Sequence, residues 1–144
     1  MNWLKKFFQK QEEGHQRDVK QSNAYDLIGG DKVIQAIAHE FYQQMQQRPE
    51  TKTLLALHRA PIAESEAKLY EFLSGWLGGP PLYQQKHGHP ALRARHMSFS
   101  IDESMRDQWL ICMRAAIDKC MKKPAHRQAI IQAISTLADH MRNQ

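Results

Sequence analysis

Apolar residues recur every three or four positions along nearly the whole chain, as they do on one face of an α-helix, and no strand-like alternation persists. The first stripe is Ile34, Ile37, Ala38, Phe41, Tyr42 and Met45. A second runs through Ser65, Leu69, Phe72, Leu73 and Trp76, in a helix predicted from Pro61 to Trp76. A third takes in Met105, Trp109, Cys112 or Met113, and Ala116; a fourth takes in Ile130, Ile131, Ile134, Leu137 and Met141. Each stripe is wide enough to bury one helix face against a neighbour. Shorter pieces lie between them. "AYDLIGG" reads as a short helix stopped by Gly29 and Gly30. "ETKTLLALHRAP" follows Pro49 as a compact corner, "LGGPPLY" forces a loop, and a short helix is predicted around Ala91–His96. Asp31 and Asp102 stand where they can cap helices, and Pro124 where it can open the last one. The expected fold is all-α, with helix pairs crossing around a buried centre.

The chain divides into an extension, residues 1–22, and one domain, residues 23–144. Glu12–Asn23 is polar and reads as a linker or a loosely held helix. Ahead of it, Trp3, Phe7 and Phe8 suit a short amphipathic helix that docks on the domain or on a partner. The 144 residues suffice for one sizeable core. The net charge of +5 is mildly basic. Cys112 and Cys120 are eight apart on one predicted helix, roughly 12 Å along its axis, too far to pair with each other. Reduced thiols in a cytoplasm are the expectation. No apolar run approaches the roughly 20 residues of a membrane span, so no stable membrane insertion is expected. The lysines inside the opening "MNWLKKFFQKQ" also argue against a signal peptide.

The chemistry concentrates in "KHGHPALRARHMSFSI", Lys86–Ile101. A zinc site would draw on His87, His89 and His96, but structural zinc takes four ligands at tighter spacings that include cysteine, and no fourth is near. A nucleic-acid patch would draw on Arg93 and Arg95, but Leu92, Phe99 and Ile101 interleave as core residues and no recognition motif is present, so no nucleic-acid partner is expected. The third reading fits best. A short segment presents His96 beside Leu92, Met97, Phe99 and Ile101, with Arg95 close in sequence. A haem needs a neutral histidine nitrogen for its iron and apolar contacts for its faces. It also needs cations for its two propionates.

Phe72–Ile101 resembles the signature of the group II truncated globins nearly residue for residue, combining a glycine pair, a proline pair, "GHP" and "LRARH". "YDLIGG", "EFYQQM" and "RDQWLICM" resemble that family's other helices, and the likeness spans about Asn23 to Met141. The resemblance implies a two-over-two helical sandwich around haem b, with His96 as the iron ligand. It implies that Leu69, Phe72, Leu92, Arg95, Phe99 and Ile101 contact the cofactor, and that Lys68 and Tyr83 reach its propionates. It places Tyr42, His58, Ser65 and Trp109 around bound ligand, with Tyr42 and Trp109 as hydrogen-bond donors. Ser98 stands where a proline is common, so a looser loop after His96 is expected. The function implied is reversible binding of O2, CO and NO with slow O2 release, in a monomer or weak homodimer. The resemblance leaves two alternatives open. One is an enzyme of NO dioxygenation or peroxide reduction, which would need an external reductase, since no flavin motif is present. The other is a haem-based redox or gas sensor.

Overall fold

The computed structural model describes residues 23–144; the expectations for residues 1–22 lie outside the described residues. Eight α-helices follow one another: α1 (Ala24–Leu27), α2 (Asp31–Gln47), α3 (Lys52–Ala56), α4 (Ile62–Trp76), α5 (Leu82–His87), α6 (Leu92–His96), α7 (Glu103–Cys120) and α8 (Pro124–His140). A 3-10 turn, Pro49–Thr51, joins α2 to α3. The described residues contain no strand. The long helices form two pairs. α2 packs on α4, α7 packs on α8, and α2 lies against α7 to join the pairs.

The first stripe is the centre of this packing. Ile34, Ile37, Ala38, Phe41, Tyr42 and Met45 are all buried. They meet Leu73 and Trp76 of α4, Cys112, Met113, Ala116 and Ile117 of α7, and Ile130, Ala133 and Ile134 of α8 in one core. Each large side chain among them contributes roughly 1.5–3 kcal/mol by leaving water. The inner half of α4 faces this core, while Ser65, Leu69 and Phe72 on the same stripe are only half-buried.

Local chemistry sets the ends. Asn23 caps α1 by accepting from Asp26 N–H at 2.9 Å, and its side-chain amide donates to Gly78 O at 2.6 Å. Tyr25 N–H donates to Leu77 O at 2.9 Å, so α1 is tied to the end of α4. A side chain on Gly79 would run into the Tyr25 ring. Asp102 caps α7 as expected, accepting from Met105 N–H at 2.9 Å. Asp31 does not cap α2. The capping residue is Gly30, at φ 73° and ψ −153°, a region entered essentially by glycine alone. Asp31 therefore falls inside the first turn, where its carboxylate accepts from Gln35 at 2.7 Å and from the Tyr70 hydroxyl. The loop expected at "LGGPPLY" is shorter than its composition suggested. Pro81 occupies the capping position of α5, where a missing N–H costs nothing, and its carbonyl accepts from Gln85 N–H at 3.0 Å.

Candidate functional site

A cavity of about 570 Å³ opens among α2, α4, α7 and α8, with the α3–α4 corner and α5–α6 completing its walls. Its size falls within the roughly 300–1,000 Å³ of small-molecule and cofactor sites. Every site residue expected from the sequence lines it: Tyr42, His58, Ser65, Lys68, Leu69, Phe72, Tyr83, Leu92, Arg95, His96, Phe99, Ile101 and Trp109. Of the four apolar residues expected around His96, Met97 is the exception. It is 57% exposed and absent from the lining. It follows His96 as the helix ends, and that position faces outward.

His96 sits in the last turn of α6 and is half-buried. Its Nδ1 lies 2.6 Å from Leu92 O. A carbonyl oxygen only accepts, so Nδ1 carries the hydrogen and Nε2 of the neutral ring keeps its lone pair. No described residue engages that Nε2. The loop behind it is held from the far end of the chain. Asn143 donates from its amide to Phe99 O at 2.8 Å and to His96 O at 3.3 Å, and accepts from Ile101 N–H at 2.9 Å. Arg93 adds a bond to His140 O at 2.7 Å. The ordering that Ser98 does not provide comes from this clasp.

Tyr42, buried on α2, meets His58 with its hydroxyl 3.3 Å from Nε2. His58 Nδ1 lies 3.0 Å from Leu54 O. The corner carrying His58 is fixed to α7, because the Gln108 side chain accepts from Thr53 Oγ1 at 2.8 Å and Leu54 N–H at 3.0 Å. Burial pushes the Tyr42 phenol well above its ordinary pKa, against an opposing hydrogen bond from Ser65, so the hydroxyl keeps its hydrogen throughout the neutral range. Trp109 packs against Phe41 with ring centroids 5.1 Å apart. No described residue accepts from its indole N–H.

Cations gather at the rim. Arg59 lies 4.6 Å from the centre of the Phe99 ring, and Arg95 lies 5.6 Å from that of Tyr83. Lys68 reaches only Glu64, at 3.8 Å across an exposed turn. The Tyr83 wall is fastened from behind. The buried carboxylate of Glu71 takes His87 at 2.8 Å and Lys86 at 3.1 Å, tying α5 to α4.

Several lining residues escaped the sequence reading. Ile134, Leu137, Met141 and Met105 were legible as inward positions, but nothing in the stripe says that they face a cavity rather than a neighbour. Leu54, Leu57, Arg59 and Arg106 gave no signal, and neither did Asn143.

The residues fit a macrocyclic metal group. The described residues contain no cluster of three or more His, Cys, Asp or Glu that could hold a bare ion. A metal at His96 Nε2 would therefore bring its other ligands with it. Leu69, Phe72, Leu92, Phe99 and Ile101 would cover an apolar ring, and Lys68, Arg59 and Arg95 would answer peripheral carboxylates. Comparison with known proteins agrees. The model of the bacterial-like globins matches residues 23–143. The chain is 35% identical over 120 residues to the group 2 truncated hemoglobin YjbI of Bacillus subtilis, covering 83% of this chain and 88% of that protein. Its structure resembles the group II 2-on-2 hemoglobin of Agrobacterium tumefaciens, with a TM-score of 0.84 and 41% identity over 89% of this chain and 99% of that one. It also resembles the truncated oxygen-avid haemoglobin of Bacillus subtilis, with a TM-score of 0.75 and 34% identity over 85% of this chain and 100% of that one.

Proposed function

This chain belongs to the bacterial-like globin family, among its group II truncated haemoglobins, and from that premise we propose that it is a cytoplasmic haem b protein that binds O2 and releases it slowly. The haem-based binding of small gases comes with the family. The choice of O2, the slow release and the roles of single residues are the proposal. Haem, when bound, would supply an iron that takes a diatomic ligand.

The observation that carries the reading is His96. Its Nδ1–H is committed to Leu92 O, and its Nε2 lone pair is left toward a largely apolar cavity. This is how a neutral imidazole is oriented as a metal ligand. The other residues follow from what a ligand requires. Donors in the cavity would favour a ligand that gathers negative charge on its outer atom, as O2 would, over one that gathers little, as CO would. Tyr42 and Trp109 line the same cavity, and the Trp109 N–H can only donate. Ser65 is too short to ligate and leaves room beside Tyr42. Lys68, Tyr83 and Arg95 would hold the propionate end, and the Glu71–His87 pair keeps Tyr83 in place.

Two free thiols, Cys112 and Cys120, suit a reducing cytoplasm. The large exposed apolar residues of the described chain are Met97 and Ile111, fourteen apart in sequence, which supports a monomer or a weak homodimer. No helix of the described residues is long and apolar enough to cross a membrane. Optical spectra of the ferric, ferrous and CO-bound full chain, followed by O2 release kinetics, test the reading. Slow O2 release from a ferrous protein that does not oxidise during the measurement is expected. Rapid oxidation, or nitrate formed from NO with repeated turnover by a cellular reductase, would move the chain to the enzymes.

A further inference from the structure

Tyr42 has one hydrogen, and the structure shows where it goes. His58 Nδ1 faces the Leu54 carbonyl at 3.0 Å, so that nitrogen carries a hydrogen. In a neutral imidazole the other nitrogen is then bare, and Nε2 accepts from the Tyr42 hydroxyl at 3.3 Å. The hydrogen that the cavity would need is thus given to His58, and the phenol has none left for a ligand. A protonated His58 changes this. Both ring nitrogens then donate, Nδ1 still to Leu54 O and Nε2 now to the Tyr42 oxygen. The Tyr42 hydrogen is released toward the cavity.

We propose that His58 is a positioning residue that sets the direction of the Tyr42 hydrogen, so that tight holding of O2 is linked to uptake of one proton. This rests on the functional reading above. With His58 neutral, Trp109 is the standing donor and Tyr42 offers no hydrogen. With His58 protonated, Tyr42 and Trp109 both donate. O2 prefers the second state, so its affinity is higher with the ring protonated than with it neutral. CO, with little charge on its outer atom, has no such preference. A second route exists at high pH, in which the neutral ring moves its hydrogen from Nδ1 to Nε2. That route leaves Leu54 O facing a lone pair, so it is disfavoured. The charged and titratable groups around the pair come from each neighbouring element. Arg59 adjoins His58, Lys68 of α4 and Arg106 of α7 share the cavity wall, Glu66 of α4 and the Cys112 thiol of α7 face Tyr42, and Tyr42 itself belongs to α2. Arg59, Lys68 and Arg106 are cations and Glu66 is an anion. The thiol is neutral, because burial pushes its pKa up.

The test uses the full chain with haem bound. Release is measured at about pH 5.5 and about pH 8.5. O2 release from the wild type should quicken about tenfold between them, the worth of one hydrogen bond, while CO release changes less than about twofold. His58→Phe and His58→Gln should both give flat O2 profiles. A flat wild-type profile, or a slope that survives in either variant, overturns the proposal. Nitrogen-15 NMR of the CO-bound chain reads the ring independently of O2 release. At the higher pH, Nδ1 should be protonated and Nε2 bare, and at the lower pH both should be protonated. A protonated Nε2 at the higher pH overturns the proposal too. If the chain holds CO but fails to hold O2 at either pH, the functional reading has failed, and the NMR result still judges the hydrogen's direction.

Discussion

Replacing Trp109 by phenylalanine removes one N–H and little else. The six-membered ring stays beside Phe41, whose centroid lies 5.1 Å from that of the tryptophan, and Phe41 is fully buried and does not follow. The ring contact itself is worth about 0.5–1.5 kcal/mol and is largely kept. What is lost is a donor that the described residues leave unengaged and that is free to meet a ligand. A hydrogen bond to a charged acceptor contributes roughly 1.5–3 kcal/mol, which converts to about a 10- to 150-fold faster release of O2. The upper part of that range applies where Tyr42 is turned toward His58 and Trp109 acts alone. Stopped-flow mixing of the oxygenated protein with excess CO measures the rate directly. CO release, read by displacement with NO, should change by less than about threefold, because its outer atom offers little charge to a donor. O2 release within about twofold of wild type would refute the reasoning, since it would mean that the indole N–H makes no bond to the ligand.

Three further outcomes are expected. Asn143→Ala removes three hydrogen bonds from the loop after His96, so haem loss to an acceptor protein should quicken, and the domain should lose about 1–3 kcal/mol in urea titration; unchanged haem retention would show that the loop holds itself. Tyr42→Phe bears on alkaline stability. Burial raises the Tyr42 pKa above its unfolded value of about 10, so the stability tied to its proton is complete below that pH and is lost as pH rises from there toward the folded pKa. The variant should therefore lose less stability above about pH 10 than the wild type, read by thermal denaturation, although Tyr25 and Tyr70, also raised, keep part of the slope. An identical slope would contradict it. Deleting residues 1–22 should leave the haem spectrum and O2 kinetics unchanged; a collapse in stability would show that Trp3 and Phe7 pack on the domain.

The helices were legible because their cause is local. Ile34 through Met45 repeat at the helical period, and that period alone predicts the buried face seen in α2. The end of α1 was legible for a similar reason, because Gly29 and Gly30 adopt φ of 121° and 73°. The start of α2 was not. Asp31 is a good capping residue, but the conformation at the cap admits glycine, and no local pattern says which of two adjacent residues will take it. Among the site residues, His96 stood out through its apolar neighbours, while Tyr42, His58 and Trp109 were named through resemblance to a family. Their contact with one cavity depends on how α2, α4 and α7 cross, which is not written in any one of them. Asn143 shows the limit most clearly. It lies 47 residues from His96 at the chain's end, and only the closed fold brings its amide to the loop.

The central claim is that His96 Nε2 holds the iron. Haem titrated into the full-length His96→Ala variant, with and without added imidazole, tests it most directly. The wild type should give a ferrous spectrum of histidine ligation with one axial position open. The variant should lose tight haem binding and that spectrum, and imidazole should restore both by filling the space beside Leu92. A variant that keeps the wild-type spectrum without imidazole would contradict the account, because another histidine, such as His58, His87 or His89, would then be the ligand.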